Sequence, residues 1–254
     1  MKREQKQEII NIALKEYLNT PEKLRSLTRL GAKYGIKRQT LSKYLQERGY
    51  AVINHQNRCR INENIFDNIN TEEKAYWLGF IFADGNISSN GNRFEINLSI
   101  KDLDHMIKLK KFLEYEEDIR IEVHKEFNTE ICRMAVRNKH LWNTLNNAGC
   151  TPRKSLTLDF PPTSLFSSPV LIYDFIRGYC DGDGSLGIYK KLNNFCESIS
   201  FVGTELFLSK LETFLNIKGY LKSKNTINYQ NNAYQLQYSS LKARQVARKL
   251  YGNA

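Results

Sequence analysis

The feature that most constrains this chain is a repetition. Residues 76 to 85 read YWLGFIFADG and residues 175 to 184 read FIRGYCDGDG. Each segment runs through aromatic or aliphatic residues to a glycine, then to a small residue, an aspartate and a second glycine. Each is followed by a strand-like run, RFEINLSI from Arg93 and ESISFVG from Glu197, and then by an amphipathic helix, Asp102 to Leu113 and Thr204 to Leu215. Further strands follow in each half (IRIEV and ICRMAVR; TINYQ and AYQLQYS), and each half closes on a helix, Leu141 to Asn147 and Lys242 to Leu250. The spacing predicts an α+β, pseudo-symmetric fold in which one αββαββα unit is duplicated, over 71–150 and 166–254, with GCTPRKSLTLDFPP as the connector.

The residue types inside the two motifs make a further demand. Gly79 and Ala83 are four apart, as are Gly178 and Gly182. On a helix that spacing puts two small residues on one stripe, so two such helices can pack backbone to backbone. Asp84 and Asp183 then fall in the last helical turn, against the negative end of the macrodipole, which costs on the order of 0.3 to 1 kcal/mol. Gly85 and Gly184 are suited to a left-handed residue that ends each helix. If the helices end side by side, the two carboxylates converge and repel one another unless cations lie between them.

WLGFIFADG and IRGYCDGDG resemble the two signature motifs of the LAGLIDADG homing endonucleases in their single-chain, two-motif form. The resemblance runs over roughly residues 72 to 254 and includes TPRKSLTLDFP. It implies a saddle-shaped antiparallel sheet over paired motif helices, and a site-specific double-strand DNA endonuclease that hydrolyses phosphodiester bonds with divalent metal, Mg²⁺ for preference. Matched position by position, Asp84 and Asp183 are the metal-coordinating acids, with the backbone carbonyls of Ala83 and Gly182 as further ligands. Hard oxygen donors of this kind suit magnesium. The first motif has Phe82 where the second has Asp181, at a position that does not carry the metal. Lys154 in the connector is a candidate for contact with the scissile phosphates.

The strands supply the reading surface. In RFEINLSIK, Phe94, Ile96, Leu98 and Ile100 alternate with Arg93, Glu95, Asn97, Ser99 and Lys101, so the apolar set belongs under the helices and the polar set faces out. Arg133 and Arg137 flank Met134 and its neighbours in the same way, and Gln235 and Gln237 flank Leu236. Arg, Asn and Gln pair with purine edges in the major groove, where a β-ribbon fits. The outward sets of the halves differ, which predicts a long, asymmetric double-stranded target bound by a monomer.

A polyanionic partner also suits the charge: 38 Lys and Arg against 27 Asp and Glu, a formal +11. The first 55 residues read as a small all-α unit. Between Arg3 and Leu18 apolar positions recur at helical spacing, and Thr20 and Pro21 are suited to open a second helix. LRSLTRLGAKYGIKRQTLSKYLQERG then resembles a helix-turn-helix of the resolvase or repressor type. Gly31 allows close helix approach and Gly35 a tight turn. Leu41 and Leu45 face inward, leaving Lys37, Arg38, Gln39, Ser42 and Lys43 for DNA. Residues 56–70 read as a tether, with Asn70 and Glu73 as a capping box for the next helix.

The apolar runs are too short to span a bilayer. Five scattered cysteines, without C-x-x-C spacing, suggest reduced thiols in a cytoplasmic protein of bacterial, phage or organellar origin. On the same scaffold the alternatives are a non-cleaving transcription regulator, from which one or both motif acids are typically lost, and an RNA-splicing maturase. An intein is not expected, because the chain starts at Met1 and ends Gly252-Asn253-Ala254.

Overall fold

The structure is a computed structural model and describes residues 3–20, 25–50, 61–124, 129–191, 194–223 and 234–252. It divides into two units, Met1–Arg60 and Ile61–Ala254. In the first, α1 (Arg3–Asn19), α2 (Leu27–Tyr34) and α3 (Arg38–Glu47) close around Ile10, Ala13, Leu14, Tyr17, Leu30, Leu41 and Leu45. Pro21 lies outside the described residues; α2 opens instead at Leu27, where the Ser26 side chain accepts a hydrogen bond from the Arg29 amide. Gly35 sits at φ +66° and ends α2. A Cβ on Gly31 would lie 2.5 Å from the Ile36 carbonyl oxygen, so the α2–α3 turn closes only over a glycine.

The second unit repeats one sequence of elements. The first repeat runs α4 (Glu72–Asp84), β1 (Gly85–Ile87), β2 (Arg93–Ser99), α5 (Leu103–Phe112), β3 (Arg120–His124), β4 (Thr129–Arg137) and α6 (Lys139–Ala148). A short connector helix, α7 (Lys154–Thr157), leads to the second: α8 (Leu171–Asp183), β5 (Gly184–Lys191), β6 (Asn194–Gly203), α9 (Glu205–Leu215), β7 (Tyr220–Ser223), β8 (Tyr234–Ser239) and α10 (Leu241–Tyr251). Among the described residues the strands form two four-stranded antiparallel sheets, ordered β1-β2-β4-β3 and β5-β6-β8-β7. The duplicated α+β unit is therefore as the repetition dictates. TINYQ lies outside the described residues, and the edge strand beside β8 is β7, Tyr220–Ser223.

Three local expectations need correction. The expected tether is structured from Ile61 onward: Ile65, Phe66 and Ile69 are buried, and the Asn62 amide donates to the Leu113 carbonyl. Residues 56–60 of it lie outside the described residues. The cap of α4 is Thr71, whose side chain accepts from the Lys74 amide, one residue later than Asn70. Gly85 and Gly184 are extended, at φ −70° and −94°, and begin β1 and β5 directly. Their need for glycine is steric rather than conformational. A Cβ on Gly85 would stand 2.5 Å from the Ile81 carbonyl oxygen, and one on Gly184 would strike the Cys180 carbonyl.

The inward strand face is apolar as the alternation requires, with Phe94, Ile96, Leu98, Cys132, Met134 and Val136 buried in the first sheet and Ile199, Phe201, Leu236 and Tyr238 in the second. Ile100 falls in a short 3₁₀ turn after β2 and is only half-buried. The described cysteines are free, and Cys59 lies outside the described residues. Among the described residues no helix is long and apolar enough to cross a membrane.

Candidate active site at the joined motif helices

The centre of the second unit is the contact between α4 and α8. A Cβ on Gly79 would collide with the Phe175 carbonyl, and one on Gly178 with the Tyr76 carbonyl. At the far end, a Cβ on Gly182 would collide with that of Ala83 and stand 2.9 Å from Asp84 Oδ2. The stripe of small residues thus serves the direct backbone approach that its spacing implies.

That approach brings Asp84 and Asp183, the last residues of α4 and α8, to one place. Asp84 is half-buried and Asp183 more exposed. Burial, and next the charge of Asp183, push the Asp84 carboxyl up to about 6, while Lys154 pulls the other way. Lys154 begins α7 in the connector and is half-buried. Its ammonium donates to the Phe82 carbonyl at 2.6 Å and also to the Ala83 carbonyl. Desolvation lowers its pKa, opposed by Cys150, Asp183 and Asp84. Connector position alone did not distinguish this lysine from a solvated one; the structure sets it against the carboxylate pair.

A divalent cation fits this place by the chemistry of the donors: two carboxylate oxygens with a raised pKa on one of them, and the carbonyl at Gly182, all hard oxygen. The Ala83 carbonyl is engaged by the Lys154 ammonium. Among the described residues no cluster of three or more His, Cys, Asp or Glu side chains is arranged around an ion, so the two aspartates are the side-chain donors available.

The two flanks of the helix pair differ, which sequence reasoning missed. On one flank, Asp181 accepts hydrogen bonds from Tyr76 (2.8 Å) and Tyr251 (2.6 Å). His105 meets Phe80 edge to face, with ring centroids 4.5 Å apart. A cavity of 510 Å³ opens here, lined by Tyr76, Phe80, Asp84, Asp102, His105 and Asp181 among others. On the other flank Phe82, Phe175, Phe207 and the connector's Phe160 are buried together. The signal was present in the repeat alignment: Tyr76 aligns with Phe175, His105 with Phe207, and Asp181 with Phe82.

The expected reading residues lie on the outward sheet faces, except Lys101, which falls in the 3₁₀ turn that follows β2 because the strand ends at Ser99. In the first sheet, Glu95 is paired with Arg93 (2.5 Å) and Arg133 (2.9 Å), and Arg133 reaches on to Glu122 (3.3 Å). Asn97, Lys101 and Arg137 are exposed, and Ser99 accepts from the Lys101 amide. In the second sheet, Gln235 and Gln237 donate to Ser200 and Ser198. In the amino-terminal unit Lys37, Arg38, Gln39 and Lys43 are exposed along α3 and Ser42 is half-buried.

No family model matches the chain. Over 191 residues, 72% of its length, it is 28% identical to a DNA polymerase of Acanthamoeba polyphaga mimivirus, and the match spans 11% of that protein. It is 24% identical over 143 residues, 54% of the chain, to an uncharacterised protein of Methanocaldococcus jannaschii, of which it spans 51%. The chain thus spans 11% and 51% of the length of these two relatives. Among solved structures it is similar to the I-LtrWI LAGLIDADG homing endonuclease bound to target DNA (14% identity, 68% of this chain and 80% of that one, TM-score 0.44). It is likewise similar to I-GzeII in complex with its DNA target (12%, 70% and 84%, TM-score 0.43) and to the meganuclease I-SmaMI bound to uncleavable DNA (13%, 70% and 83%, TM-score 0.43).

Proposed function

We propose that the chain is a LAGLIDADG-type, site-specific endonuclease that cuts both strands of DNA at one shared site, using divalent metal held by Asp84 and Asp183. The observation that carries this reading is the convergence of two carboxylates at the touching ends of α4 and α8, where burial and the neighbouring charge of Asp183 raise the Asp84 carboxyl pKa. The retention of both acids supports cleavage over a purely regulatory role.

Divalent ions bound there supply an activated water nucleophile and neutralise charge on the leaving oxygen. Asp84 and Asp183 would hold those ions, with the Gly182 carbonyl beside them. Lys154 places a half-buried positive charge next to the carboxylates and ties down the carboxyl end of α4. A positive charge beside the carboxylates would favour the negative charge that develops on a scissile phosphate bound there. The outward faces of the two sheets would bind the flanking duplex, Arg137 and Asn97 on one half, joined by Lys101 from the turn after β2, and Gln235 and Gln237 on the other. The unit at 1–60 would extend the footprint through Lys37, Arg38, Gln39, Ser42 and Lys43 on and beside α3.

The test is incubation with a library of duplex DNA in magnesium, followed by sequencing of newly formed ends. The expected result is double-strand ends at one asymmetric site, absent when the metal is chelated. Ends that form equally without divalent metal would overturn the two-aspartate assignment. A library left intact with magnesium would overturn the nuclease reading.

A further inference from the structure

We propose that the second sheet reads two adenines separated by one intervening base pair, through Gln235 and Gln237, whose amides are held in reading position by Ser200 and Ser198. This inference rests on the DNA-binding reading above.

The two glutamines are two apart on β8, facing outward on either side of the buried Leu236. In the register of β6 and β8, Gln235 lies opposite Val202 and Gln237 opposite Ser200. Each glutamine reaches one diagonal step along β6 rather than straight across. Gln235 Nε2 donates to Ser200 Oγ at 3.0 Å, and Gln237 Nε2 to Ser198 Oγ at 3.1 Å. The same hydrogen bond is therefore made twice, in the same direction, two residues apart.

A glutamine amide has two N–H groups and one carbonyl oxygen. The serine takes one N–H and fixes the plane of the amide. One N–H and the oxygen remain, and these are the donor and acceptor that adenine N7 and N6 require in the major groove. The spacing agrees as well. Two residues along an antiparallel strand cover about 6.8 Å, and two base steps along one DNA strand cover about the same distance. Two glutamines held in one orientation then address bases n and n+2.

The surroundings favour base edges over phosphates. Described side chains on this outward face include Ser185, Ser198, Ser200 and Val202, all uncharged, and the register adds Lys222 at the β7 edge. The corresponding face of the first sheet is instead laced by the ion pairs of Arg93, Glu95, Arg133 and Glu122. The described β5 and β6 side chains beside the two glutamines are uncharged and add little to sequence-independent binding, so what this patch binds depends on which bases meet it.

The experiment is selection of duplexes bound by the full chain from a randomised pool, for the wild type and for Gln235→Glu, Gln237→Glu and Ser198→Ala, with a thermal melt of each variant as the folding control. The wild type should enrich two adenines two positions apart in one half-site, each preferred by roughly tenfold or more. Gln237→Glu should convert one of them to cytosine, whose N4 donates to a carboxylate, and leave the other unchanged; Gln235→Glu should do the reverse. Ser198→Ala should flatten the preference at the Gln237 position alone, a readout that general loosening of the sheet would not give. Selected sites that lack the adenine pair, or that none of these substitutions alters, would overturn the proposal while leaving DNA binding intact. A wild-type pool with no enriched sequence would overturn the DNA-reading assignment together with it.

Discussion

The two flanks of the α4–α8 junction began as copies of one another and are now opposites. One is sealed: Phe82, Phe175, Phe160 and Phe207 fill it, and the connector that supplies Phe160 also delivers Lys154 to the carboxylates. The other is open and polar, with Asp181 clamped between Tyr76 and Tyr251, and His105 standing where Phe207 stands in the second repeat. The difference follows from topology. Two fused repeats need one connector, and one connector passes along one flank only. The flank it covers can become a dry core, whereas the other must keep polar side chains because water reaches it.

Breaking the sealed flank should have the largest effect. Lys154→Met keeps the aliphatic stem and removes the positive charge beside the carboxylates. Cleavage in magnesium should fall roughly 100-fold, while the thermal melt shows a folded protein. Unchanged rates would mean that the lysine only caps α4.

Overpacking the junction tests both flanks together. Gly178→Leu drives a side chain into the Tyr76 carbonyl and should cost roughly 1 to 3 kcal/mol or more. Activity should fall further than stability, because the helix ends that carry the aspartates separate. Ala83→Gly, which copies the other repeat, should be tolerated. Thermal melts and cleavage assays on the same preparations check both statements; a stable, active Gly178→Leu protein would mean that these helices do not depend on backbone contact.

A smaller effect is expected at Asp84 in the absence of metal. Its carboxyl is pushed up to about 6 by burial and by Asp183, so the folded state holds its proton more tightly than the unfolded chain does. Stability then declines as pH rises from about 4 through about 6. Asp84→Asn removes that decline and should stabilise the metal-free protein at neutral pH. The gain should be on the order of 1 to 2 kcal/mol, discounted for partial exposure. Melting curves with chelator at pH 4.5 and pH 7.5 give the comparison.

The smallest effect belongs to the open flank. Burial lowers the His105 pKa, against the pull of Asp181. The unfolded chain therefore binds this proton more readily, and stability falls as pH drops below about 6.5. His105→Phe, the residue of the other repeat, should remove that acid-side loss and raise Tm by no more than about 3 °C. An identical pH dependence in the two proteins would show that the histidine is solvated in practice.

The sequence made the repeat order and the helix junction legible because both depend on local periodicity and on four small residues at fixed spacing. Gly79 and Gly178 are readable in that way, since only a backbone contact asks for glycine at those points of a helix. What was not legible depended on which flank the connector takes. Phe82 against Asp181 looked like a neutral departure within the motif, yet it marks the dry side and the wet side. Lys154 could not be told from a linker lysine until the chain was folded over Phe82 and Ala83. Gly85 and Gly184 were legible as helix ends but not in conformation: an extended glycine crowded by its own helix and a left-handed one look the same in sequence. The polar stretch from Ile61 to Asn70 likewise hid three apolar anchors, Ile65, Phe66 and Ile69, too widely spaced to register as an element.

Beneath the difference between the flanks lies one shared pair of carboxylates, and that pair is tested most directly by measuring cleavage and binding of one selected duplex, in magnesium, for the wild type, Asp84→Asn and Asp183→Asn. Either substitution should abolish double-strand cleavage while leaving affinity for the duplex within a few-fold of the wild type, as the proposed role of both acids in holding metal requires. Substantial double-strand cutting by either variant would contradict a site built from both repeats.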